Sequence, residues 1–174
     1  MFSIRPAVLG DAAGIARVHV ETWQATYRGI IPQHFLDALS LTERTALWSQ
    51  QISEVPSPLI VAEDGDILCG FISGGPLRDG AIVAELGCDA EIYTLYVLPS
   101  AQGKGAGRLL MRALAYRLAE GGTRRPVVWA LEENPWCAFY EHLGGRRIAQ
   151  KTIEIGGIFL SDIAFAWGDL SEIA

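Results

Sequence analysis

At 174 residues, half of them hydrophobic and with 14 Lys and Arg against 20 Asp and Glu, the chain has the size of one domain and a net charge of −6. A chain of this length buries roughly two-thirds of its unfolded surface, so one core spanning residues 1–174 is expected without disulfide support. The acidic balance argues against a broad nucleic-acid surface, which needs clustered Lys and Arg, and the three cysteines, Cys69, Cys88 and Cys137, lack the close pairing of a zinc or redox motif.

In chain order, FSIRPAV alternates and predicts a strand; it lacks the unbroken apolar run of a signal peptide. No later stretch reaches the roughly eighteen charge-free apolar residues of a membrane span, so a soluble, cytoplasmic protein is expected. Asp11 reads as the N-cap of a helix through AAGIARVHVETWQATY. PQHFLDALSLTERTALWSQQI reads as the next helix, with Leu36, Leu39, Leu47 and Ile52 among its apolar positions and SLTE resembling a capping box. The two apolar runs of PLIVAEDGDILCGFISGG flank EDGD and predict a hairpin. Between Ala81 and Leu86 alternation is only partial, and a strand there stays open. AEIYTLYVL predicts a strand, and GRLLMRALAYRLAEGG a helix with Leu110, Leu114 and Leu118 on one face and Gly121 at its C-cap. RPVVWALEE is another strand and PWCAFYEHLGG a short helix, which Asn134 as N-cap and Pro135 at the first helical position would open. The rest predicts two strands about Gly156-Gly157. Mixed strands and helices give an α/β or α+β domain whose sheet is not purely parallel.

A strand running through Pro99 into QGKGAGR and then a helix supplies unpaired backbone N–H groups and the positive end of a helix dipole, which together favour a phosphate. Gly103, Gly105 and Gly107 let such a group approach the backbone, and Lys104 and Arg108 add charge. A Walker loop needs GxxxxGK[ST], yet Lys104 sits between glycines with no hydroxyl residue after it. A dinucleotide fingerprint needs GxGxxG, and counted from Gly103 its third glycine is replaced by Arg108.

What remains, Gln102-x-x-Gly105-x-Gly107, resembles the Q/R-x-x-G-x-G/A loop of the GCN5-related N-acetyltransferase (GNAT) superfamily. IRPAVLGDAAGIARV and NPWCAFYEHLGGRRI resemble its opening strand and helix and its later cofactor region, so the likeness spans nearly the whole chain. The resemblance implies a mostly antiparallel twisted sheet, splayed between EIYTLYV and PVVWAL, with helices on both faces. It implies acetyl-CoA as cosubstrate. The pyrophosphate would lie on Gln102, Gly103, Lys104, Gly105, Ala106, Gly107 and Arg108, the pantetheine arm on the backbone of Leu95, Tyr96 and Val97, and Asn134 would contact that arm. Tyr140 matches the family's general acid, six residues after Asn134 where many members show seven.

Acetyl transfer to an amine also needs a base. By two-residue alternation Glu91 shares a face with Tyr93, Leu95 and Val97 and would look into the cleft; Glu132 and Glu85 are alternatives, and VVWAL carries Trp129 where some relatives keep an acid. His19, His34 and His142 read as surface or capping residues. Trp23 and Tyr27, i and i+4 on one helix face, match a W-x-x-x-Y-x-G pattern that walls the acceptor pocket in relatives. The expected function is direct acetyl transfer from acetyl-CoA to a primary amine of a small molecule or peptide, with no metal and no covalent intermediate on Cys137. The alternative is a non-catalytic acyl-CoA-binding regulatory module. Aminoglycosides, polyamines, amino-acid analogues and protein N-termini stay open as acceptors, set by loops such as Tyr27 to His34 and Gly74 to Cys88; a homodimer is a family-level expectation.

Overall fold

The computed structural model describes residues 1–78 and 81–173. One sheet organises it: β1 (Phe2–Pro6), β2 (Leu59–Asp64), β3 (Ile67–Gly75), β4 (Ala90–Val97), β5 (Pro126–Leu131), β6 (Arg146–Ile155) and β7 (Ile158–Ala166), in the order β1-β2-β3-β4-β5-β7-β6. Every neighbouring pair is antiparallel except β4 with β5. The helices are α1 (Ala12–Thr26), α2 (Gln33–Asp37), α3 (Leu41–Glu54), α4 (Ala81–Glu85), α5 (Ala106–Glu120) and α6 (Cys137–His142). Among the described residues no helix is long and apolar enough to cross a membrane.

The helices cover both faces. Successive strand residues point to opposite sides, and at β3 the alternation separates Phe71, which meets His19 of α1, from Gly70, whose added Cβ would meet Leu110 of α5. Leu110, Met111, Leu114 and Leu118 bury the inner face of α5, each contributing roughly 1.5–3 kcal/mol of apolar burial.

Three local readings are corrected. Asp11 stands before α1 but makes no side-chain cap; its carboxylate accepts from Arg5 and from the Val8 N–H instead, an ion pair outcompeting the cap. The second helical stretch is two helices, because the chain turns at residues 38–40 and Ser40 restarts it as N-cap of α3, accepting from the Glu43 N–H. Within α3 the buried residue is Trp48, while Leu47 is exposed. Residues 81–85 form α4 rather than a strand: Val83 packs into a cluster with Cys88, Val127 and Ala164, and Gly87 ends the turn at φ +84°.

Two irregularities shape the middle of the sheet. β4 and β5 pair only at Ala90↔Pro126, Glu91↔Val127 and Ile92↔Val128, and then part. From Tyr93 onward β4 pairs with β3 alone, so its other edge opens onto a gap. Opposite that point Ser73 pairs with Thr94 but Gly74 with Ile92, which makes Tyr93 the extra residue of a β-bulge. Gly74 is required there, since a Cβ would sit 2.8 Å from the Glu91 carbonyl oxygen and 2.9 Å from Leu114 Cδ2.

Candidate active site

The bulge changes which side chains share a face. Residues directly opposite in an antiparallel pair point the same way, so Glu91 with Gly75, Thr94 with Ser73 and Tyr96 with Phe71 lie on the α1 side, and Ile92, Leu95 and Val97 on the α5 side. Simple alternation, which groups Glu91 with Leu95 and Val97, therefore fails at Tyr93.

The gap between β4 and β5 opens into a cavity of about 490 Å³. Its walls include Tyr27, Leu95, Tyr96, Val97, Gln102, Gly103, Gly105, Gly107, Arg108, Asn134 and Tyr140, so most of the residues singled out from sequence meet at one place. Lys104, exposed on the loop, Ala106, buried beneath it, Trp23 and Glu91 stand outside that lining.

The glycine loop is built by three separate devices. Gln102 Nε2 donates to the Val97 carbonyl at 2.8 Å, folding the loop back onto the end of β4. Gly103 and Gly105 have φ of +70° and +95°, which L side chains rarely adopt. Gly107 is different: its φ is ordinary, but a Cβ would come within 3.3 Å of Phe139 Cζ. At this end the helical ladder begins with the Leu109 N–H, which donates to the Gly105 carbonyl at 3.1 Å. The N–H groups ahead of it are the orphan donors of a helix start, at the positive end of a 15-residue helix.

On the opposite wall the chain leaves β5 into a turn. Asn134 Oδ1 accepts from the Trp136 N–H at 2.9 Å and its Nδ2 donates to Tyr27 Oη at 3.3 Å. Asn134 thus opens an Asx turn two residues before the N-cap, Trp136, and Pro135 precedes the helix rather than starting it. One turn on, Tyr140 is buried among Phe139, Phe165 and Trp167. Burial raises its pKa, so the phenol stays protonated. Cys137 Sγ donates to the Leu131 carbonyl at 3.2 Å and burial pushes its thiol up, which keeps it out of the thiolate form.

On the α1 side, Glu91 is 5 % exposed and accepts from the Arg78 N–H at 3.1 Å, from Arg78 Nε at 3.2 Å and from Arg78 Nη2. Arg78 also lies 4.1 Å from the Tyr93 ring centroid. Glu91 therefore ties down the start of the segment linking β3 to β4; residues 79–80 of that segment fall outside the described residues. Trp23 and Tyr27 meet edge-to-face at 5.1 Å. His19 stacks on Tyr96 at 5.1 Å and accepts from Trp48 Nε1 through Nδ1, so its proton sits on Nε2. Burial, with Arg44 nearby, lowers its pKa to about 4, and it stays a neutral packing residue.

Sequence reasoning missed four residues here. Thr22 and Thr26 line the cavity from α1. Arg78 claims Glu91, and Asp162 of β7 is an acid only 7 % exposed. Asp162 had a signal in FLSDIAF: its neighbours at two residues either side, Leu160 and Ala164, are core, so the acid between them points inward.

The acetyltransferase (GNAT) family model matches residues 19–145. The Bacillus subtilis N-acetyltransferase YuaI is 34 % identical over 173 residues, covering 99 % of this chain and 96 % of that one. Among solved structures, PaiA N-acetyltransferase from Thermoplasma acidophilum in complex with coenzyme A superposes with TM-score 0.70 at 18 % identity, covering 97 % and 99 % of the two chains. The structure of yncA from Salmonella typhimurium with its cofactor acetyl-CoA gives TM-score 0.70 at 21 % identity over 97 % and 94 %.

Proposed function

The chain belongs to the acetyltransferase (GNAT) family, and from that premise we propose that it transfers the acetyl group of acetyl-CoA directly to a primary amine in the gap between β4 and β5. The observation that carries this reading is one continuous cavity joining the open edge of β4, the glycine loop at the start of α5, and Tyr140. An acyl-CoA is long, with a diphosphate at one end and a thioester at the other. The loop offers bare N–H groups and Arg108 for the diphosphate. The unpaired edge of Tyr93 to Val97 offers backbone partners for the amide-bearing arm, and one of its N–H groups would polarise the thioester carbonyl.

In that arrangement the amine attacks the carbonyl carbon from the α1 side, the C–S bond breaks, and Tyr140 donates a hydrogen bond and then its proton to the departing thiolate. Because burial holds Tyr140 protonated, it acts as a donor throughout the working pH range. Cys137, committed to the Leu131 carbonyl, takes no acetyl group. Glu91, held by Arg78, serves to position the β3–β4 segment beside the acceptor. Trp23 and Tyr27 shape the acceptor wall, and Asn134 reaches the arm of the donor. Lys104, exposed at the loop, adds charge toward the diphosphate from solvent, and Ala106 contributes its N–H.

The test is release of free thiol from acetyl-CoA in the presence of a panel of primary amines, with acetyl-CoA binding followed by calorimetry. Binding without turnover of any amine would favour a regulatory acyl-CoA module; a thermal shift with ATP or NAD but none with acetyl-CoA would overturn the reading.

A further inference from the structure

Neither the glycine loop nor the protonated Tyr140 can take the first proton from the acceptor's ammonium, so a base for that step belongs on the α1 side of the sheet, where the acceptor approaches. Two nearly buried acids lie there, Glu91 and Asp162. A buried carboxylate is costly unless compensated. Glu91 is compensated by its bonds from Arg78. Asp162 stands apart from that pair, on β7 opposite Leu131 of β5 and Lys151 of β6.

Strand register puts Asp162 on the face of Trp129, two residues before Leu131 and itself a cavity wall. Four groups from the surrounding elements couple to it electrostatically: Tyr27 at the C-cap of α1, another cavity wall, Cys137 of α6, Glu91 of β4 and Lys151 of β6. Lys151 lies 4.1 Å from the Trp129 ring centroid. A second, independent observation points to a ligand. Thr22 is 5 % exposed, lines the cavity, and its Oγ1 is buried with no hydrogen-bond partner. Buried polar groups are ordinarily paired.

Asp162 itself lies outside the cavity lining, behind Tyr27 and Trp129. Building on the acetyl-transfer reading, the geometry points to Asp162 as the carboxylate that attracts the acceptor's ammonium and takes its proton through one water, while Thr22 Oγ1 hydrogen-bonds the same acceptor. The acceptor is a small amine with one positive charge and an apolar body. Tyr27, Tyr93 and Trp129 provide aromatic wall, and Arg78 and Lys151 flank the acids, which disfavours a second cationic centre. The ammonium gives one proton to Asp162, freeing the lone pair. The N–C bond forms, the C–S bond breaks, and the thiolate is protonated by Tyr140, which regains its proton from the second one lost by the nitrogen. Asp162 then releases its proton to water. Burial raises Asp162 to about 6, with Glu91 adding to the effect and Lys151 opposing it, so it is charged and basic at neutral pH.

The experiment follows the Asp carboxyl ¹³C resonances of the wild type and of Asp162→Asn through a pH titration, alone and with phenethylamine, spermidine or an alanyl dipeptide. A midpoint near 6 that is absent from the variant and is lowered most by phenethylamine is expected. With phenethylamine, kcat/KM should fall about 10²–10⁴-fold in Asp162→Asn, the limb rising through pH 6 should vanish, and Asp162→Glu should restore part of the rate. A merely structural role would leave that limb in place. A midpoint in the ordinary aspartate range, a midpoint that none of the three amines moves, or an unchanged pH limb in the variant overturns the assignment. Calorimetry with acetyl-CoA on the same samples separates this from failure of the acetyl-transfer reading, which no binding to the wild type would signal.

Discussion

Replacing Gly105 by Ala isolates the backbone conformation of the glycine loop. An added Cβ meets nothing within 4 Å, so crowding contributes nothing and the cost is conformational. At φ +95° Gly105 lies beyond the left-handed well that L residues tolerate, and the strain is about 1–2 kcal/mol. For a domain of this size each kcal/mol lowers Tm by about 2–4 °C, giving an expected drop of roughly 2–8 °C. If the loop relaxes instead, the N–H groups before Leu109 turn from the cavity. Loss of one hydrogen bond to a charged group, about 1.5–3 kcal/mol, then weakens acetyl-CoA by roughly ten- to a hundredfold. Calorimetric melting with and without acetyl-CoA reads both, and Gly10→Ala, also free of contacts within 4 Å and with no positive φ, is the control. A Gly105→Ala protein that melts and binds like Gly10→Ala would refute the reasoning.

Three further outcomes are expected. Tyr140→Phe should lower turnover by about 10²–10⁴-fold with acetyl-CoA affinity kept; unchanged turnover removes Tyr140 as the acid. Glu91→Ala should speed hydrogen exchange at the Arg78 amide, whose acceptor is Glu91 Oε2, and raise the acceptor KM more than it lowers kcat; a rate collapse with unaltered KM would return Glu91 to the chemistry. The third concerns pH. Asp162 holds its proton in the folded state up to about pH 6 but in the unfolded chain only to about 3.9, so it makes the fold lose stability as pH rises between those values. His19, lowered to about 4 when folded against about 6.5 unfolded, does the opposite, costing stability as pH falls through that window. Asp162→Asn should therefore be more stable than wild type at pH 7, by about 1–2 kcal/mol after allowance for solvent screening, with the gain vanishing near pH 4 in urea titrations. A constant difference across that range would contradict it.

Much of the fold was legible because its signals are local. Alternation marked β1, two apolar runs about the EDGD turn marked β2 and β3, the Gly156-Gly157 turn marked the β6–β7 hairpin, and the leucine face of α5 its packing side. The loop from Gln102 to Arg108 was legible as well, since positive φ demands glycine. What escaped depends on pairing between distant segments. The bulge at Tyr93 leaves no mark on β4 itself; it is enforced from β3, where Gly74 leaves room for the Glu91 carbonyl. That single extra residue moved Glu91 to the other face. Its partner Arg78 lies 13 residues away across a loop, with no pattern to announce the pair. Asp162 was passed over because an acid in a strand ordinarily faces water; its apolar neighbours two residues either side, Leu160 and Ala164, were the one local sign that the placement of β7 between β5 and β6 buries it.

The most direct test of the whole account is a crystal structure with acetyl-CoA bound. The diphosphate should lie on the N–H groups between Gly103 and Arg108, the arm along β4 from Tyr93 to Val97, and the thioester near Tyr140. The chain offers a second cavity of about 470 Å³ between β1, α3 and α5, lined by Ile4, Ile52, Tyr116 and Arg117. Acetyl-CoA found there, with the gap between β4 and β5 empty, would contradict the account.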